Sequence, residues 1–202
     1  MSRERVRPTR DETRRRLFQA AAQVFAEQGV GATTVEQVTS AAGFTRGAFY
    51  SNFATKEELA VAMLEDHLAR SQTHNRELAR HHPDTADLVD ALRHDTDRHD
   101  DPLHLNPLLQ VELMLYVART PELRPVLGEH LRTMRTLVGE IVISTLRASG
   151  VEPPSVEAEQ LGAILVALED GLRLHRIIDP DSTPPDAFFT ALETLGRLVT
   201  PP

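Results

Sequence analysis

Apolar residues recur at intervals of three and four along almost the whole of this 202-residue chain, and no stretch alternates apolar with polar as a half-buried strand must. Aromatic residues make up only 4% of the chain, which removes a second mark of strands. The pattern points to an all-α fold. Gly and Pro divide it into about nine expected helices, over residues 11–28, 35–42, 46–52, 55–80, 84–97, 105–118, 121–148, 155–177 and 185–199. In the first of these Leu17, Ala20, Ala21, Val24 and Phe25 share a face, with Gly29 as its stop. Thr34, Thr45 and Thr55 are expected N-caps, and Glu58 completes a capping box with Thr55.

The chain has no cysteine, so disulfide scaffolds, thiolate zinc sites and cysteine nucleophiles are excluded together. No run approaches the ~18 apolar residues that span a bilayer, and the Arg-rich start lacks the apolar core of a signal peptide. The expectation is a soluble cytoplasmic protein with no membrane partner. Its net charge of -8 conceals an asymmetry. Residues 1–56 carry nine basic and five acidic side chains, a balance of +4, whereas residues 57–202 carry a balance of -12. Any polyanion must therefore meet the first quarter of the chain.

Two short helices joined by Gly43-Phe44-Thr45 have the spacing of a helix-turn-helix. Val35, Val38, Ala42, Phe49 and Phe53 can pack on Val24 and Phe25, leaving Thr45, Arg46, Gly47, Ala48, Tyr50 and Ser51 outward. Glycine early in a short helix costs roughly 1 kcal/mol against alanine, so Gly47 favours a backbone approach to another surface. Spacing alone leaves two readings open, a DNA-reading head or a helical corner with nothing bound.

The stretch from Thr34 to Leu59, with Phe25-Ala26-Glu27-Gln28-Gly29 and Thr33-Thr34 before it, resembles the DNA-binding signature of the tetracycline-repressor (TetR) family. Phe44 and Asn52 depart mildly from it, where a small aliphatic residue and a His or Tyr are usual. The resemblance implies a DNA-binding domain over residues 1–54, with 1–9 a flexible arm, and a helical ligand-binding and dimerisation domain over 55–202. It implies that Thr34, Tyr50 and Lys56 meet phosphates, that Asn52 adds one contact, and that Gly47 lets the backbone approach. Thr45, Arg46, Ala48 and Ser51 are then the candidates for base edges, with Arg46 suited to guanine and Ala48 to a thymine methyl. Arg3, Arg5 and Arg7 are candidates for a minor-groove arm or an ordinary solvated tail.

Beyond residue 64 the resemblance thins to Ala167–Leu172 with Ile177–Pro180, and to Thr120–Arg124. The family pairs its last two helices with a second copy. Here Ala163, Ala167 and Gly171 form a strip of small residues, and Phe188, Leu192, Leu195 and Val199 an apolar stripe, so a homodimer is expected. A small-molecule pocket is expected among the middle helices, with Glu112, His130 and Met134 as candidates and His67, Glu169 and Asp170 as further ones. The expected role is a ligand-released repressor of a palindromic operator in double-stranded DNA, with no cofactor. An activator, or a repressor without a ligand, would use the same N-terminal residues.

The enzyme alternative rests on His94-Asp95 and His99-Asp100, which have the look of a metal phosphohydrolase pair. Five residues on a helix turn one pair about 140° from the other, so they do not share a face. His67, His74 and His81 do share one, but neighbours lie about 10 Å apart by helical rise. No metal site and no enzyme are expected.

Overall fold

The computed structural model describes residues 8–95 and 101–199. These form ten α-helices and one 3-10 turn, with no strand among the described residues. They are α1 (Arg10–Ala32), α2 (Val35–Ala42), α3 (Arg46–Tyr50), α4 (Lys56–His81), α5 (Thr85–Arg93), α6 (Pro102–Leu105), α7 (Pro107–Arg119), α8 (Arg124–Ala148), α9 (Ala158–Ile178) and α10 (Ala187–Val199). The 3-10 turn, Pro121–Leu123, precedes α8.

The helix expected over 105–118 is thus two. Pro107 disfavours the helical conformation in the residue before it. Asn106 accordingly takes φ -129°, ψ 84°, ending α6 and capping α7 through the Leu109 amide. The helix expected over 84–97 is also shorter. Asp84 accepts the amide protons of Ala86 and Asp87, and α5 ends at Arg93 with His94 as its C-cap, while the expected turn at 96–97 lies outside the described residues.

The chain falls into two compact units. The first takes residues 8–66 and 101–125, so α6 and α7 belong with the N-terminal helices. Its core is Leu17, Ala21, Phe25, Val38, Phe49, Phe53, Leu59, Met63, Leu109 and Leu113, all essentially solvent-free. Burying a side chain of that size is worth about 1.5–3 kcal/mol. α7 packs on α1, and α2 and α3 complete the layer.

The second unit takes residues 67–95 and 126–199. Leu88, Leu127, Met134 and Leu137 are buried in it. At the crossing of α8 and α9, Gly139 and Gly162 face each other with no room for a side chain on either. Ser149 ties the end of α8 to the start of α5, accepting the Thr85 amide and lying 3.0 Å from Asp84 Oδ2. These bonds hold the Asp84 carboxylate below its usual range, the Asp87 amide being the largest cause. No described helix is long and apolar enough to cross a membrane.

Candidate nucleic-acid interface

α2 and α3 owe their placement to local chemistry. Thr34 accepts the Gln37 amide at 3.3 Å while Gln37 Oε1 accepts the Thr34 amide at 2.8 Å, a complete capping box. α2 ends at Gly43, whose φ of 69° is the left-handed region that glycine enters at no steric cost. Thr45 then caps α3 by accepting the Ala48 amide at 3.2 Å. Phe49 is solvent-free and fixes which face of α3 turns inward, so Arg46, Gly47 and Tyr50 turn outward.

The departures from the family signature have visible partners. Phe44 lies under the Arg16 guanidinium, 4.5 Å from the ring centroid, while Arg16 Nη2 donates to the Ala42 carbonyl at the end of α2 at 3.0 Å. Asn52 turns its amide nitrogen to the Ala48 carbonyl at 2.8 Å. Ser51 donates to the same carbonyl at 2.9 Å.

On the outer face Tyr50 is 49% exposed and packs edge-on against Phe49. Its hydroxyl lies 3.5 Å from Arg46 Nη2. Arg46 Nη1 pairs with Glu36 at 2.8 Å. Tyr50 first, and Glu36 after it, hold the guanidinium above its already high pKa, so Arg46 is a permanent cation. A Cβ built on Gly47 would meet only Thr45 Oγ1, at 3.8 Å, so nothing within the fold requires glycine there.

Lys56, at the first turn of α4, donates to the carbonyls of Val30, Gly31 and Thr33 at 3.0, 2.8 and 2.8 Å. Three contacts match the three protons of an ammonium, and they satisfy the orphan acceptors at the end of α1. Gly29 breaks that helix with φ 77° and ψ 156° rather than ending it, and α1 resumes to Ala32. The Val30 amide freed by the break donates to Glu112 Oε1 at 3.3 Å. One turn further along α7, Tyr116 donates to Glu57 Oε1 at 3.0 Å. Burial and then this bond to Glu57 raise the Tyr116 pKa.

Glu112 therefore serves the end of α1, and its apolar sequence neighbours gave no hint of an amide 82 residues away. His130 turns to the Val126 carbonyl of its own helix. The second unit does bring His67 and Asp170 together, with Arg135 and Arg173 in electrostatic range of the carboxylate. His67 and Met134 are buried. Burial is the main cause raising the Asp170 pKa, Glu169 adding to it and the cations opposing. Glu169 is exposed and lies 3.8 Å from Arg173.

In the C-terminal pair Ala163 and Gly171 are half-buried and Ala167 is exposed. Phe188 and Leu192 are half-buried, and the side chains of Leu195 and Val199 lie outside the described set. Arg3, Arg5, Arg7 and the pair His99-Asp100 also lie outside the described residues. His94 and Asp95 do not act together, for His94 turns to Asp90 and Asp95 pairs with His74 at 2.7 Å. Among the described residues no three His, Asp or Glu side chains gather as a metal site.

Residues 17–63 match the family model described as "Bacterial regulatory proteins, tetR family", and residues 80–200 match "Tetracyclin repressor-like, C-terminal domain". Over 80 residues the chain is 39% identical to the "Probable HTH-type transcriptional regulator ArpR" of Pseudomonas putida, covering 37% of this chain and 38% of that one. Over 73 residues it is 40% identical to the "HTH-type transcriptional regulator TtgR" of the same species, covering 33% and 35%. Each match thus spans about a third of the relative's length. The fold is similar to that of reduced E. coli NemR, with a TM-score of 0.71 at 23% identity over 94% of this chain and 99% of the other. The capped helix pair, the outward Arg46 and Tyr50, and family models that together take in both compact units lead to one assignment: the chain belongs to the TetR family of bacterial regulatory proteins.

Proposed function

We propose that the protein is a cytoplasmic transcriptional repressor that binds a palindromic operator as a homodimer and is released by a small molecule held in its second unit. The observation that carries this reading is α3, a helix capped by Thr45 and anchored by Phe49, which presents Arg46, Gly47 and Tyr50 on its exposed face. Docked in the major groove, Arg46 takes a guanine edge, while Thr34 and Tyr50 hydrogen-bond phosphates and Gly47 admits the backbone. Thr45, Ala48, Ser51 and Asn52 lie along the same contact. Lys56 adds charge toward phosphate, while its hydrogen bonds hold the end of α1 against the start of α4.

Selection of bound duplexes from a randomised pool tests the reading. Arg46→Ala should lose about 1–3 kcal/mol of discrimination at one base pair per half-site. Tyr50→Phe should weaken all sequences alike. Uniform losses from Arg46→Ala would count against base reading by α3.

The dimer is proposed to form through α9 and α10. Ala163, Ala167 and Gly171 supply a small-residue strip, with Phe188, Leu192 and Leu195 beside it, and a Cβ at Gly171 meets nothing within 4 Å inside one chain. Ile164 and Ile178, 59% and 75% exposed, add apolar surface that a second copy would cover. Sedimentation should show a wild-type dimer and a Gly171→Arg monomer. A Gly171→Arg chain still dimeric at micromolar concentration would place the interface elsewhere.

For the effector, the buried His67 and Met134 and the half-buried Asp170, whose carboxylate is in electrostatic range of His67, fit an apolar molecule with one or two polar groups. Glu169 and His130 are weaker candidates in the same unit, whereas Glu112 lies in the first unit and accepts the Val30 amide. A coupling of about 1–3 kcal/mol between effector and operator would weaken binding 5–150-fold in both directions.

A further inference from the structure

Glu36 stands in the first turn of α2, and its carboxylate meets Arg46 on α3 at 2.8 Å. Both side chains stay largely solvent-exposed, at 55% and 61%. An exposed pair of this kind adds about 0–1 kcal/mol to stability. The first turn of α2 favours a carboxylate by about 0.3–1 kcal/mol wherever it points, so the pair itself adds little stability by reaching the face that carries Thr45, Gly47 and Tyr50. The Glu36 charge also opposes phosphate, the reverse of what indiscriminate DNA binding favours.

We propose that Glu36 is a specificity-determining residue of the reading head, acting through Arg46 as a positioning residue. The inference rests on the DNA-reading function proposed above. An arginine that swings freely makes charge-assisted bonds to any phosphate, and so raises affinity for every sequence alike. Glu36 holds Nη1 from the α2 side, while the Tyr50 hydroxyl lies 3.5 Å from Nη2 and the Tyr50 ring 5.8 Å from the guanidinium carbon. Held between them, the guanidinium is pre-aimed, and a phosphate that approaches it meets the carboxylate as well. A phosphate can also meet the fork with two oxygens, but its charge is repelled by the carboxylate beside Nη1, whereas guanine O6 and N7 are neutral acceptors that meet the fork without that repulsion.

Glu36→Gln keeps the shape and removes the charge. Affinity for a scrambled duplex should rise about threefold to tenfold at 0.1 M salt, with a dependence on salt steeper by about one released ion. The ratio of selected to scrambled binding should fall about tenfold, mainly at one G·C pair per half-site. Glu36→Asp should restore part of that ratio.

The measurement is salt-titrated binding of wild type, Glu36→Gln and Glu36→Asp to a pool-selected duplex and to its scrambled counterpart, with melting curves for each protein. Glu36→Gln weakening both duplexes by one factor alongside a lower melting temperature would show a merely structural residue and overturn the inference. Unchanged affinities and salt slopes would overturn it as well. Either result leaves the DNA-reading function standing if wild type still prefers the selected duplex. A wild type that enriches no sequence from the pool would overturn both.

Discussion

Replacing Gly162 with alanine should unseat α9 from α8 and cost about 3–5 kcal/mol, at the severe end for a single substitution. The added methyl would stand 1.8 Å from the Arg135 carbonyl oxygen and 2.9 Å from the Gly139 amide nitrogen. A Cβ at Gly139 would meet the Ala158 carbonyl oxygen at 1.8 Å. Every obstacle is backbone, so no rotamer change relieves the clash and the helices must part. Parting opens the core around the buried Met134 and Leu137. Thermal melting followed by circular dichroism should show a drop on the order of 10 °C or more, given about 2–4 °C per kcal/mol at this size. Gly128→Ala, in the same α8 with nothing within 4 Å, should instead raise stability by about 0.5–1 kcal/mol. Equal melting curves for Gly162→Ala and wild type would refute the close crossing.

The second large effect is expected at Gly29. Its φ of 77° and ψ of 156° fall where only glycine is at ease, and a side chain there costs about 1–3 kcal/mol in strain. A Cβ would also press to 3.0 Å from Glu112 Oε1, the acceptor for the Val30 amide. Gly29→Val should therefore disturb residues 30–33, three of whose carbonyls (Val30, Gly31 and Thr33) Lys56 gathers, and with them the joint between α1 and α4. The expected result is a stability loss of about 3 kcal/mol together with operator binding weakened at least tenfold. Glu112→Gln keeps an acceptor for the Val30 amide and should stay close to wild type. Operator affinity unchanged in Gly29→Val would show that this turn does not bear on the reading head.

The two glycine sites mark where sequence reading succeeds and where it stops. Thr34, Gly43 and Thr45 announce their roles because caps and left-handed turns are made within a few residues, so the reading head is visible in the chain itself. Gly29 is half legible: a break is expected there, but the further turn to Ala32 depends on Lys56 and Glu112, 27 and 83 positions away. Gly139 and Gly162 matter only because two helices cross, and nothing near either residue records that. The strip Ala163, Ala167 and Gly171 has small-residue spacing that is conspicuous in the sequence, although the tight crossing inside the chain is one residue earlier. The partner of Glu112 is hidden for a related reason, since the Val30 amide that its carboxylate accepts lies 82 positions away in the chain.

The electrostatic asymmetry between the first quarter of the chain and the remainder agrees with the placement of the exposed cations. Arg46 stands on the outer face of α3 and Arg15 and Arg16 are exposed on α1, while the half-buried Arg14 covers the ring of Phe53 at 4.6 Å. Residues 57–202 carry a balance of -12 and repel phosphate, so under the proposed function DNA would be steered toward α2 and α3.

Hydroxyl-radical footprinting of the wild-type protein on a pool-selected duplex tests the central claim most directly. Two reading heads on a two-fold dimer should protect two equivalent backbone segments about 34–36 Å apart, or a multiple of it, around a dyad in the sequence. Protection of a single segment, protection without a dyad, or no protection on any selected duplex would contradict the account.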